Sequence, residues 1–487
     1  MKRSLMSLLL ALALVSLYVP AFAQDTSDSM EDVNSSLGAL TNRVNALEKK
    51  GPSVEIHGFV QADIINDSTQ SFNETVGDGA VKQNGSVAGD NGWTQFSERN
   101  SRFDFLAKDS VGGWDTKGYL ELDLLGYDPE GYGATSVSTT TGGVASTGNG
   151  TTNNLAADVS EYKFYTQPTV RLRHAYLQAD SDGWTILAGQ WWSLFGWNMD
   201  YVLSTVAEAP VMATLYQRTP QLRIMKTFGD ATGAQLQLAT DLEKADEVGG
   251  QMPNVNFGIR FLMNDFKARF CSSTGAAKLM PFSIGLSERN ANIVWDNQTQ
   301  GGGAGFNYNQ NMWASAIAAD VLLPVLPASE GKDDPSIVLT GEWTAGAGDV
   351  DQFNGGGFNG GLNGYTSANG LNIDPGIMGG SLAAGFQLVQ IQSINAELQA
   401  YLPPSIGTIF TLGYGEIFSP NVIGVGGTWN DDKVMFVNVM QDLTKEMRVG
   451  LEYASFDTHY SPAFGGAANN FTDAIDNRVQ LSTWYRF

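Results

Sequence analysis

From residue 54 onward the chain alternates between hydrophobic and polar positions. The last ten residues, RVQLSTWYRF, show it plainly: Val479, Leu481, Thr483, Tyr485 and Phe487 fall on one face and Gln480, Ser482, Trp484 and Arg486 on the other. A period of two predicts strands. Segments of this kind lie at about 53–65, 99–109, 116–126, 169–180, 184–191, 219–228, 232–241, 254–263 and 266–271. Seven more follow at about 312–323, 336–346, 391–402, 408–418, 433–442, 447–456 and 478–487. Two further stretches, 280–287 and 380–390, are strand-like but fall within loops in this reading; counting both would raise sixteen strands to eighteen. The connectors alternate between short ones (SVGGWD, SDG, GDA, ND, PPSIG, TKE) and long ones (66–98, 127–168, 272–311, 347–390). An even number of strands with this alternation predicts an all-β, 16-stranded antiparallel transmembrane β-barrel with both ends on one side.

The first fifty residues follow other periods. Lys2 and Arg3 precede the apolar run LMSLLLALALVSLYV, which ends in the small-residue pattern Ala21-Phe22-Ala23; residues 1–23 read as a secretory signal peptide. In 24–50, Met30, Val33, Leu37, Leu40, Val44 and Leu47 are spaced three and four apart, the seam of a short N-terminal α-helical coiled coil. Gly51 and Pro52 stop that helix, and residues 51–487 form the barrel domain. The seam predicts self-association; the alternative is an amphipathic helix packed on its own domain.

Composition narrows the class. No apolar run after the leader is long enough for a membrane helix, so a membrane role requires a closed barrel, the other structure that satisfies its backbone within lipid. Fifty-six glycines and polar linkers such as GATSVSTTTGGVASTGNGTTNN suit long outer loops. Cys271 is the only cysteine, which excludes an internal disulfide. Loss of Lys2 and Arg3 with the leader takes the formal net charge from −23 to −25, a balance that excludes nucleic acid as a partner. The three histidines, His57, His174 and His459, sit in no recognisable catalytic motif, and there is no nucleotide-binding loop, so neither enzyme chemistry nor a cofactor is expected.

Charge then assigns the faces. A midplane Arg or Lys on the lipid side costs about 2–4 kcal/mol, so charged residues should face the lumen. On that basis Arg171, Arg173, Arg223, Arg260, Lys267 and Arg269 form a basic wall on the fourth to ninth strands. Arg102, Lys108 and Lys117 mix with the acids Glu55, Asp63, Asp104, Glu121 and Asp123, while Glu342 and Glu397 lie on later strands. Separated walls would set a transverse field across the pore; alternatively these groups pair with each other and with loop carboxylates. The segment 192–218, which begins WSLFGWNMD, concentrates aromatic bulk in Trp192, Phe195, Trp197 and Tyr201 and carries Arg218.

The block VRLRHAYLQADSDGWTILAGQWWSLFGW at 170–197, SRFDFLAK at 101–108, the heptad segment and the terminal Phe487 together resemble the DcaP-like outer-membrane porins of Gram-negative bacteria. The resemblance implies a trimeric channel in the outer membrane, with the N-terminal helices joined as a coiled coil in the periplasm. It also implies passive uptake of small anionic solutes such as dicarboxylates, an inward-folded 192–218 loop that narrows the pore, and pore-lining roles for Arg171 and Arg173. The expected partners are therefore outer-membrane lipid, two further copies of the chain and small anions. A cation-preferring or general porin is the competing reading, since the acidic loops would repel anions; an outer-membrane enzyme or an adhesin would be readings of another class.

Overall fold

In the computed structural model the described residues are 38, 52–76, 80–126, 169–197, 202–206, 213–245, 252–296, 309–349, 352–353, 377–379, 386–421, 429–460 and 473–487. The expected signal peptide and the coiled-coil residues Met30, Val33, Leu37, Leu40, Val44 and Leu47 lie outside them, as does Tyr201.

The strands are β1 (Ser53–Asp67), β2 (Trp93–Ser97, resuming as Arg102–Val111), β3 (Trp114–Gly126), β4 (Thr169–Ser181), β5 (Trp184–Trp192), β6 (Arg218–Gly229), β7 (Ala234–Glu243) and β8 (Asn254–Phe270). They continue as β9 (Lys278–Asp296), β10 (Asn309–Leu326), β11 (Ser336–Ala347), β12 (Gln390–Tyr401), β13 (Thr408–Phe418), β14 (Trp429–Asp442), β15 (Met447–Tyr460) and β16 (Asp473–Arg486). Each pairs antiparallel with its sequence neighbour, and both parts of β2 pair with β1, so the seventeen segments of the sheet make sixteen strands. The ring closes where β1 meets β16, Val60 opposite Tyr485 and Ile64 opposite Leu481. Phe487 completes the seam by exchanging two backbone hydrogen bonds with Gly58, at 3.0 and 3.1 Å.

The barrel is inside-out relative to a soluble protein. Leu222, Ile224, Phe257, Ile259, Leu286, Phe410, Val437, Leu451 and Leu481 are exposed on its outer wall, while Arg173, Arg289, Arg448 and Arg478 are among the largest fully buried side chains. Only a solvent less polar than the lumen makes that arrangement favourable. Tight turns crowd one end. Gly112-Gly113 and Asp182-Gly183 connect β2 to β3 and β4 to β5 with positive φ at both residues, the two-residue geometry that matches strand twist. The opposite end carries the long connections.

Two expectations about the strands need correction. Residues 254–263 and 266–271 are one strand, β8, and Asn264-Asp265 is no hairpin turn; the turn-like pair marks an irregularity at which the pairing with β9 jumps from Met263–Phe282 to Lys267–Pro281. Conversely 280–287, expected within a loop, belongs to the long strand β9. The count of sixteen survives because one strand was divided and another passed over.

Candidate functional site

The connection from β5 to β6 runs into the barrel. Its backbone is held by carboxylates on the far wall: Leu203 N donates to both oxygens of Glu397 on β12 at 3.0 Å, Thr205 N to Glu452 on β15 at 2.9 Å, and Leu215 N to Glu342 on β11 at 3.2 Å. The Ser204 hydroxyl donates to Glu452 at 2.7 Å, and Asn438 on β14 donates to the Leu203 carbonyl at 2.7 Å. Charge-assisted bonds to backbone N–H are among the stronger protein hydrogen bonds. Glu342, Glu397 and Glu452 are nearly inaccessible as a result. The later acidic wall therefore does not meet water as the sequence suggested; the loop covers it. Phe195 is buried with Ala213, Leu215, Ala316 and Ile391, cementing the loop to β10 and β12.

Across from this covered wall is the RLRHAYLQ strand, β4. Arg171 and Arg173 both point inward, and so does His174. The reason is a β-bulge: Leu172 pairs with Leu122 and His174 with Glu121, which leaves Arg173 as an extra residue. A bulge re-aims side chains at the point where it interrupts the ladder. Arg171 grips Asp123 with Nε and Nη2 at 3.0 and 2.5 Å. Arg173 donates to Glu121 at 2.7 Å, to Asp123 at 3.0 Å and to the Tyr216 hydroxyl of the inward loop at 3.2 Å. His174 Nδ1 meets Glu121 at 2.8 Å. Arg102 on β2 lies 3.7 Å from Glu121 and stacks over Phe59. Arg218, the first residue of β6, stacks over Trp192 and Tyr216 at 5.2 and 5.6 Å. Arg102, Arg171 and Arg173 thus gather around Glu121 and Asp123 of β3, with Arg218 on the adjoining aromatic rings.

A cavity of about 950 Å³ adjoins this cluster, lined by Arg102, Arg173 and Arg260, by the acids Asp104 and Glu121, and by Val202 and Tyr216 of the inward loop. Arg260 on β8 stacks over Trp197 at 5.5 Å. The Trp197 ring lies against Gly258, where a methyl group would sit 2.5 Å from it, so glycine is what admits the indole. Arg223 is beside the cluster, bonded to Asp241 and to the Trp192 carbonyl.

Lys267 and Arg269 do not join it. Past the irregularity at 264–266 it is Ala268 and Phe270 that are buried with the lumen residues Phe59, Leu322, Tyr401 and Trp484. Arg269 instead donates to the Lys332 carbonyl at 2.6 Å in the turn after β10. At that end of the strand the lipid cost that justified turning every base inward no longer applies. Tyr216, His174 and Trp191 were not anticipated. Yet the block carried a sign: its apolar outer row runs Val170, Leu172, then Ala175 and Leu177, a break in parity that only an inserted residue produces.

No family model and no characterised protein sequence matches the chain. Among solved structures, the outer membrane channel DcaP of Acinetobacter baumannii superposes with a TM-score of 0.57 at 16% identity, over 90% of this chain and 98% of that one. This is the fold of a porin-like outer membrane channel. The anion-selective porin from Comamonas acidovorans is also similar, at 10% identity and a TM-score of 0.47, over 90% of this chain and 100% of that one. So is OmpF of Salmonella typhi, solved with daunomycin, at 12% identity and 0.47, over 90% and 98%. The channel fold matches the resemblance carried by the 170–197 block.

Proposed function

We propose that the protein is an outer-membrane porin, a passive diffusion channel for small hydrophilic solutes that favours small anions such as dicarboxylates. One observation carries the preference: the loop that enters the lumen covers the carboxylates of β11, β12 and β15 and leaves Arg102 of β2 and Arg260 of β8 on the cavity. A local excess of positive charge at a narrow point selects by sign. Arginine adds bidentate geometry for a carboxylate, and Arg102 and Arg260, which share the cavity, are the bases assigned to the passing solute. Arg171, Arg173 and Arg223 bond to Asp123, Glu121 and Asp241 and in this reading hold the wall together, while Arg102 and Arg260, which have Glu121 and Asp320 as neighbours, also line the cavity. The solute is not altered, so the site is a filter rather than a catalytic centre.

In the same reading residues 1–23 are removed on export, the long loops face outward, and residues 24–50 join three copies by a periplasmic coiled coil. The pairing of so many arginines with carboxylates favours a second reading, a weakly selective general porin.

Reversal potential in a salt gradient across a planar bilayer separates the two. The first reading expects anion preference in the native channel. It also expects a shift toward cations in the Arg102→Gln/Arg260→Gln double variant, each lost charge being worth on the order of 0.5–1 kcal/mol to a nearby anion in a water-filled lumen. A native reversal potential of cationic sign, or a double variant indistinguishable from native, would refute the anion preference while leaving the channel reading intact.

A further inference from the structure

We propose that the connection between β1 and β2, through its described residues 68–76 and 80–92, is a second inward-folded constriction element, seated in the lumen while the channel conducts. Together with the loop after β5 it closes off the β14–β16 side and confines solute to the arginine-bearing wall. The inference rests on the channel reading but not on its anion preference.

A connection lying over the rim would leave its apolar side chains in water. Here Phe72, Val76 and Val81 are 4%, 0% and 0% exposed, packed with Val434, Phe436, Ala454, Phe456 and Ala474 of β14, β15 and β16. Those partners alternate with the outward row Met435, Val437, Tyr453 and Ile475, so the packing is on the inside of the wall. The Phe72 ring is 5.0 Å from that of Phe456. Val206 of the β5–β6 loop belongs to the same cluster, and Ala80 packs against the cluster of Phe195, Ala213 and Leu215. The two connections therefore form one continuous filling inside the ring.

Polar groups fix this seat at several points. Asp476 on β16 accepts hydrogen bonds from Ser68 Oγ at 3.2 Å and from Thr69 N and Oγ1 at 2.8 Å each. Arg478 pairs with Asp67 and donates to the Asn73 carbonyl at 2.6 Å. Val81 N donates to Thr458 Oγ1 at 2.9 Å, and the Tyr460 hydroxyl donates to the Val81 carbonyl at 2.6 Å. Glu74 and Arg99 form a buried ion pair at 2.5 Å. Breaking such a pair strands a charge, so withdrawal of the segment would be costly. An open, mobile cap would not be anchored at both Ser68–Glu74 and Val81.

The segment can be removed cleanly, because Gln70 N bonds the Ala88 carbonyl at 2.8 Å and so brings its two limbs together. Single-channel conductance is measured for the full chain, for a variant in which residues 71–87 are replaced by a two-glycine bridge, and for a Thr69→Cys/Asp476→Cys variant oxidised to lock the segment in place. Excision should raise conductance about twofold, as widening a pore does, and the lock should leave it at the native value. Unchanged conductance after excision, or a drop on locking that reduction reverses, would overturn the proposal. If the excised chain fails to fold, the locked variant decides by itself. Absence of conductance in the native chain would instead refute the channel reading.

Discussion

Arg173 combines two tasks that usually fall to different residues. It neutralises Glu121 and Asp123 and, through Tyr216, ties the inward loop to the opposite wall. Removing one partner of a buried ionic group costs about 3–5 kcal/mol because the others are left unpaired. Arg173→Ala should therefore lower the temperature at which the folded barrel loses its anomalous mobility in detergent gels, and should shift selectivity toward cations by leaving the two acids exposed. Arg102→Gln, which gives up a 3.7 Å approach to Glu121, a 3.1 Å bond to Asn100 and the stacking on Phe59, should cost less stability than Arg173→Ala while still shifting selectivity toward cations. Inward orientation of Arg171 and Arg173 was legible from period two. Their pairing was not, because it depends on which residues of β3 lie opposite, and a bulge decides that register. For Lys267 and Arg269 the rule of turning charges inward misled, since it holds at mid-membrane depth and these two lie near a strand end.

Among the elements, the β5–β6 loop owes its place to the carboxylates that grip its backbone. Glu397→Ala withdraws both acceptors from Leu203 N, whereas Glu397→Gln keeps one oxygen there. The expected outcome is noisier and larger single-channel currents in the alanine variant and near-native currents in the glutamine variant. The short turns have their own fastening, where the Ser405 hydroxyl and backbone N–H donate to Asp333 at 2.5 and 2.8 Å and hold its carboxyl below the usual aspartate range. A depressed carboxyl adds stability above its unfolded value, about 3.9, and loses it as pH falls further through its folded value. Asp333→Asn should thus flatten the acid limb of a stability profile without altering conductance. Strand boundaries were legible where alternation was unbroken, as in β11 and β13. They failed at β8, where Asn264-Asp265 mimics a hairpin turn, and at β9, where Pro281 and Gly285 dilute the pattern.

For the molecule as a whole, alternation and charge cost were enough to give sixteen strands with apolar outer and polar inner faces. What the lumen contains was barely legible, because the packing of two connections against β10–β16 depends on contacts between residues hundreds of positions apart. Oligomerisation belongs to this scale as well. If the heptad segment joins three copies, deleting residues 24–50 should leave a barrel that folds but a trimer that dissociates at lower temperature, as read by gel mobility or mass photometry. A ring of sixteen strands has a set circumference, yet its clear width is governed by what is stacked against one arc of it. Gly258 marks where that width can be trimmed: a larger residue there would push the Trp197 indole aside and resize the aperture. Two barrels of equal girth can in this way sieve different molecules, through side-chain volume alone and without any change of strand number.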